Sequence, residues 1–153
     1  MKKILILIAA CLVSCNMQNN VVVKNDSADR IDGIDVSRHQ GRIDWKKASK
    51  DLPDNAFVYI KCTEGATYRD PMYKANADGI RRTTLHRGGY HYFRMTSGAH
   101  EQFKNFKRAL DYLDGDLVPL VDVETTDGKP TERSGTVCVS FYVYLKMSMG
   151  KSR

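Results

Sequence analysis

Asp122 and Glu124 close the apolar run Pro119-Leu120-Val121-Asp122-Val123-Glu124. Residues two apart on a strand share a face, so both carboxylates point the same way, with side-chain bases about 6.5 to 7 Å apart. Like charges held this close push their pKa values apart, so one carboxyl keeps its proton while its neighbour stays anionic. An acid beside an anion, both facing one cavity, suits cleavage of a glycosidic bond. A D-x-E at a strand end also serves as a solvated turn or a metal ligand, so the elements around it must decide.

From residue 31 short apolar runs alternate with polar, helix-compatible stretches. Ile31 to Val36, Phe57 to Cys62, Gly88 to Phe93 and Leu117 to Val123 read as strands. Between them lie a short helix from Asp44 to about Lys50 and a helix from Asp70-Pro71 to about Arg82, with proline favoured in the first turn. A third helix runs from Ser97 to Leu113, its Phe103, Phe106, Ala109, Leu110 and Leu113 at helical spacing. Strands alternating with helices predict βαβ units, a parallel sheet and an α/β fold. The ionisable and aromatic residues Asp35, Lys61 with Glu64, Tyr90 with Tyr92, and Asp122 with Glu124 gather at the C-terminal strand ends, where a parallel barrel places its site.

Met1-Lys2-Lys3 followed by the apolar stretch Ile4 to Val13 reads as a secretory leader, too short to span a bilayer as a mature helix. Leu12-Val13-Ser14-Cys15 resembles a bacterial lipobox, which implies cleavage before Cys15 and its lipidation. The organisation expected is a signal peptide over 1–14, a lipidated Cys15 with a polar tether over 15–30, and a domain over 31–153. Lipoproteins of this kind are often retained at the inner membrane by an acidic residue after the cysteine. Asn16 stands there, so the expected location is the cell envelope, anchored in the outer membrane of a Gram-negative bacterium. Without Lys2 and Lys3, the 24 basic residues become 22 against 18 acidic ones, a formal charge of +4. That balance is compatible with an anionic polymer such as a cell wall and does not select nucleic acid, which is not expected as a partner. Cys62 and Cys138 form no C-x-x-C and no metal-ligand spacing, which argues against zinc or redox chemistry. They read as structural thiols, although an exported location permits a disulfide between them.

Four blocks carry a resemblance. Gly33-Ile34-Asp35-Val36-Ser37-Arg38-His39-Gln40-Gly41 with Ile43-Asp44-Trp45, then Tyr59-Ile60-Lys61-Cys62-Thr63-Glu64-Gly65, then Gly89-Tyr90-His91-Tyr92-Phe93, then Val121-Asp122-Val123-Glu124, resemble in order the signature blocks of the glycoside hydrolase family 25 lysozymes. The resemblance implies a TIM-like (β/α) barrel. It also implies a muramidase that cuts the β-1,4 bond between N-acetylmuramic acid and N-acetylglucosamine in peptidoglycan, without metal or cofactor. It places Glu124 as the general acid, Asp122 as the group stabilising charge at the 2-acetamido substituent, and Asp35 as an electrostatic partner.

Other residues at the strand ends have two readings each. Lys61 and Glu64 either orient substrate or form a structural ion pair. Tyr90 and Tyr92 either stack on sugar rings or pack in the core. His39 and His91 read as hydrogen-bonded supports, His39 at the substrate side, and Trp45 as an anchor from helix to core. The family pattern continues past the point corresponding to Arg153, with further strands and a late W-Q-x-x block, so a barrel incomplete at its C-terminal side is expected. A catalytically inactive peptidoglycan-binding lipoprotein is the alternative function. A divalent-cation site on Asp35, Asp122 and Glu124 is a third.

Overall fold

The computed structural model describes residues 32–113, 115–130, 140–142 and 144. The expected leader, Cys15, the tether and Cys138 lie outside them. Four parallel strands, β1 (Gly33–Val36), β2 (Phe57–Glu64), β4 (His86–Tyr92) and β5 (Leu120–Asp122), form a sheet in the order β1-β2-β4-β5. A short strand, β3 (Tyr68–Arg69), pairs antiparallel with the end of β2. The helices are α1 (Trp45–Ala48), α2 (Tyr73–Ile80) and α3 (Ala99–Leu113), and one 3₁₀ turn covers Arg38–Gln40. The parallel α/β arrangement is as expected. The sheet is open among the described residues, so the structure shows no closed barrel.

Several boundaries differ from the expectation for local reasons. Helix α2 begins at Tyr73 rather than at Pro71. The Asp70 carboxylate that could cap a helix instead accepts the backbone N–H of Arg38 (2.9 Å) and of Met72 (2.9 Å), tying the turn after β1 to the start of α2. Helix α1 is a single turn, opened by the Asp44 side chain accepting from the Lys47 N–H. Strand β5 is shorter than the run Leu117 to Val123, and Val118 spends its carbonyl on the Tyr59 hydroxyl (2.9 Å) instead of a ladder.

Strand β2 runs on through Glu64 and pairs with β3, which the alternating pattern did not reveal. The turn between them uses Gly65 at φ 52°, a conformation glycine adopts without steric cost. The Asn105 side chain of α3 supports this hairpin by donating to the carbonyls of Gly65 (3.1 Å) and Tyr68 (3.0 Å).

One face of the sheet forms the core. Val36, Val58, Ile60, Cys62 and Phe93 are buried with Tyr73, Ala77 and Ile80 of α2 and Phe106, Ala109 and Leu113 of α3. A Cβ on Gly89 would lie 2.5 Å from the Cys62 sulfur and 3.1 Å from Leu110 and Leu113, so only glycine lets α3 approach β4 this closely. The Tyr73 hydroxyl donates to the Ala109 carbonyl (2.5 Å), joining α2 to α3. Phe141, from the helical residues 140–142, stacks on the His91 ring at 5.1 Å and closes this side. Cys62 is a free, buried thiol, and burial pushes it up to about 12. Both facts accord with a structural role.

Candidate active site

The opposite face of the sheet carries the polar residues, and strand register sets them in rows. Cross-strand partners point to the same side. Asp35 pairs with Tyr59, Lys61 with Tyr90, Tyr90 with Leu120, Glu64 with Tyr92, and Tyr92 with Asp122. Lys61 and Glu64 are three apart and would face opposite ways on a regular strand. The register shift between Lys61 and Thr63 inserts one extra residue, Cys62, and returns Glu64 to the face of Lys61. Their ion pair, Nζ to Oε2 at 2.7 Å, follows from that bulge.

Asp122 and Glu124 meet. Asp122 ends β5 and is half-buried, whereas Glu124, two residues on, is exposed. The two carboxyl groups lie close enough for Glu124 to raise the Asp122 carboxyl, and Glu124 and Asp122 both act on the Tyr92 phenol. Burial pushes the Asp122 carboxyl up to about 6, aided by the Glu124 charge and hydrogen bond and by Asp35, while the Lys61 ammonium opposes the shift. Like charges this close favour a state in which one carboxyl keeps its proton, and Asp122 is the less solvated of the two. Asp35 is exposed on β1, and its charge acts on both Tyr90 and Asp122.

Tyr90 and Tyr92 divide the two readings between them. Tyr90 is buried and its phenol is pushed well above the usual tyrosine range by burial and by Asp35, Asp122, Asp70 and Glu124, so it serves as a neutral support. Tyr92 is half-buried beside Glu124, with the Lys61 ammonium 4.6 Å above its ring. His39 lies exposed on the 3₁₀ turn after β1. His91 faces the core. Its Nε2–H donates to Gln102 Oε1 (3.2 Å) while Nδ1 accepts from the Thr63 hydroxyl (2.8 Å), and burial pulls its pKa down to about 4. It is therefore a neutral structural group.

Sequence reasoning missed three residues. Tyr68, on the unforeseen β3, lies with Lys61 5.8 Å above its ring and Arg38 6.0 Å away. The turn signal at Gly65 between β-prone segments could have revealed it. Arg94 and Asp127 join across two loops at 2.8 Å, a long-range pairing with no local signature. Among the described residues, no three His, Cys, Asp or Glu side chains are arranged to hold a metal ion.

The model of the glycosyl hydrolases family 25 matches residues 34–153. The Escherichia coli (strain K12) protein YegX is 42% identical over 98 residues, which is 61% of this chain and 36% of YegX. The autolytic lysozyme of Clostridium acetobutylicum is 34% identical over 113 residues, 74% of this chain and 34% of that enzyme. Among solved structures, a family 25 glycosyl hydrolase from Bacillus anthracis superposes with a TM-score of 0.70 at 30% identity, covering 80% of this chain and 58% of that one. The chain thus spans about a third of the length of these curated relatives.

Proposed function

The chain belongs to the glycosyl hydrolases of family 25, and from that membership we propose that it cleaves the β-1,4 bond between N-acetylmuramic acid and N-acetylglucosamine in peptidoglycan. The observation that carries this reading is the Asp122–Glu124 pair at the C-terminal end of the parallel strand β5, where burial and the Glu124 charge raise the Asp122 carboxyl to about 6. Glu124 is the exposed member, beside Tyr92. Asp122 passes its proton to Glu124, which delivers it to the leaving oxygen as the glycosidic bond breaks. Asp122 is left anionic at the moment positive charge develops on the sugar and its 2-acetamido group, where a carboxylate stabilises most. Asp35 adds negative potential from the neighbouring strand end.

Lipidation at Cys15 places this activity at the envelope, where its polymeric substrate lies. A peptidoglycan-binding protein without turnover is the second reading. It draws on the sheet of the described residues, which is open with β5 as an outer strand.

The test is reducing-end release from purified peptidoglycan by the full chain carrying Cys15→Ser, alongside Glu124→Gln and a form extended at its C-terminal side with the corresponding part of the Clostridium lysozyme. Loss of the general acid lowers the rate by at least about 10²-fold. Release by the parent or only by the extended form, abolished in either by Glu124→Gln, supports the hydrolase. Binding to insoluble peptidoglycan with no release from either form supports the binder.

A further inference from the structure

We propose that Arg94 and Asp127 are positioning residues whose ion pair ties the segment carrying Glu124 to the β4–α3 connection and thereby holds the Glu124 side chain against Asp122 and Tyr92. The inference rests on the hydrolase reading for what the positioning serves, but its geometry stands independently.

Asp127 lies three residues beyond Glu124 with φ at 50°. Its side chain is only 6% exposed. Oδ2 accepts from Arg94 Nε (3.1 Å) and from the Met95 N–H (2.8 Å), and Oδ1 lies 2.8 Å from Arg94 Nη2. This is a planar fork on a carboxylate, the arrangement that fixes orientation as well as distance. Arg94 is itself immobilised, because the fully buried Gln102 accepts from its N–H and donates to its carbonyl, both at 2.9 Å.

The remaining guanidinium nitrogen, Nη1, reaches Glu64 Oε1 at 3.2 Å, and Glu64 Oε2 takes Lys61. Lys61 lies over Tyr92, whose phenol Glu124 and Asp122 act on. The contacts therefore run from the Asp127 loop through Arg94, Glu64 and Lys61 to Tyr92, beside the carboxylate pair. Exposed ion pairs contribute little to stability, and Arg94 is 38% exposed. A buried acceptor, a two-point fork and a doubly anchored backbone are features that constrain direction, and the segment they constrain is the one bearing Glu124.

Carboxyl-carbon NMR titration of the full chain with Cys15→Ser tests this, with signals assigned through Asp122→Asn and Glu124→Gln. The groups facing the pair are Asp35 from β1, Lys61 and Glu64 from β2, and Tyr90 and Tyr92 from β4, and all stay unchanged in the test variants. In the parent, Asp122 and Glu124 each respond to the other's protonation. In Arg94→Gln and Asp127→Asn that cross-response is lost. The Asp122 midpoint then falls toward the ordinary aspartate range, because the Glu124 charge and hydrogen bond that help raise it move away.

Arg94→Lys keeps the charge without the fork and gives an intermediate titration; it decides the matter if either other variant fails to fold. In whichever form cleaves peptidoglycan, kcat falls on the order of 10²-fold with KM unchanged. Variants that titrate like the parent while only the melting temperature moves would overturn the proposal. Absence of cleavage in every form would sink the hydrolase reading and leave the titration result standing.

Discussion

Asp122 and His91 leave opposite marks on stability in overlapping pH ranges. Asp122 is raised from 3.8 to about 6, so the folded state holds a proton that the unfolded chain releases. Its contribution is fully present below pH 3.8 and is lost as pH rises through about 6. His91 is lowered from 6.5 to about 4, so its contribution is present above pH 6.5 and is lost as pH falls through about 4. The two slopes oppose each other in the parent. Asp122→Asn is expected to leave a chain that loses stability on acidification from pH 6.5 to 4, and His91→Gln one that gains stability on acidification below pH 6. Melting temperatures at pH 4.5 and 6.5 check both, and identical pH profiles in parent and variants would refute them. The pairing of Asp122 with Glu124 was legible from the strand period. How far the Asp122 carboxyl is raised was not, because that depends on burial and on the charges of Asp35 and Lys61 from other strands.

At the scale of elements, α2 shows packing overriding propensity. Gly79 sits near its end, where alanine would ordinarily favour the helix by up to about 1 kcal/mol. A Cβ there would fall 2.2 Å from Trp45 Cδ1, and that indole is buried and donates to Asn76 Oδ1 at 3.2 Å. Gly79→Ala is expected to destabilise by about 1–3 kcal/mol, measured by denaturant unfolding, with the loss shrinking in a Trp45→Leu background. A stabilised Gly79→Ala would mean that α1 yields easily. The anchor role of Trp45 was readable from its place in a short amphipathic helix. The β2–β3 hairpin was not, because the Cys62 bulge breaks the period-2 pattern on which strand recognition depends. Lys61 and Glu64 could therefore be picked out as a pair, but not as neighbours on one face.

Over the whole molecule, β1 and β5 are the outer strands of the described sheet, and the half-buried Leu120 and Val121 lie on β5 with Val123 just beyond it. Unpaired edges seek partners. Extension at the C-terminal side with the family's further strands is expected to raise the melting temperature and to increase peptidoglycan binding over that of the chain alone, read by calorimetry and by a pelleting assay. No change in either would show that β5 needs no such cover. Cys15→Ser is expected to shift the protein from the membrane fraction to the soluble fraction and to abolish fatty-acid labelling. Retention in the membrane would remove the lipid anchor from the proposal.

Sequence alone determined the order of the four parallel strands and the three helices, the parallel α/β class, and the four strand ends that carry Asp35, Lys61 with Glu64, Tyr90 with Tyr92, and Asp122 with Glu124. These follow from hydrophobic period and turn chemistry, which are local. Tertiary structure decided the rest. It turned Glu64 onto the site face through a bulge, buried Tyr90 while leaving Tyr92 beside Glu124, and sent His91 into the core. It also brought Arg94 to Asp127 across 33 residues. Each of these depends on which atoms a neighbouring strand or loop brings within a few ångströms, and that proximity is set by the packed fold, not by any window of the chain.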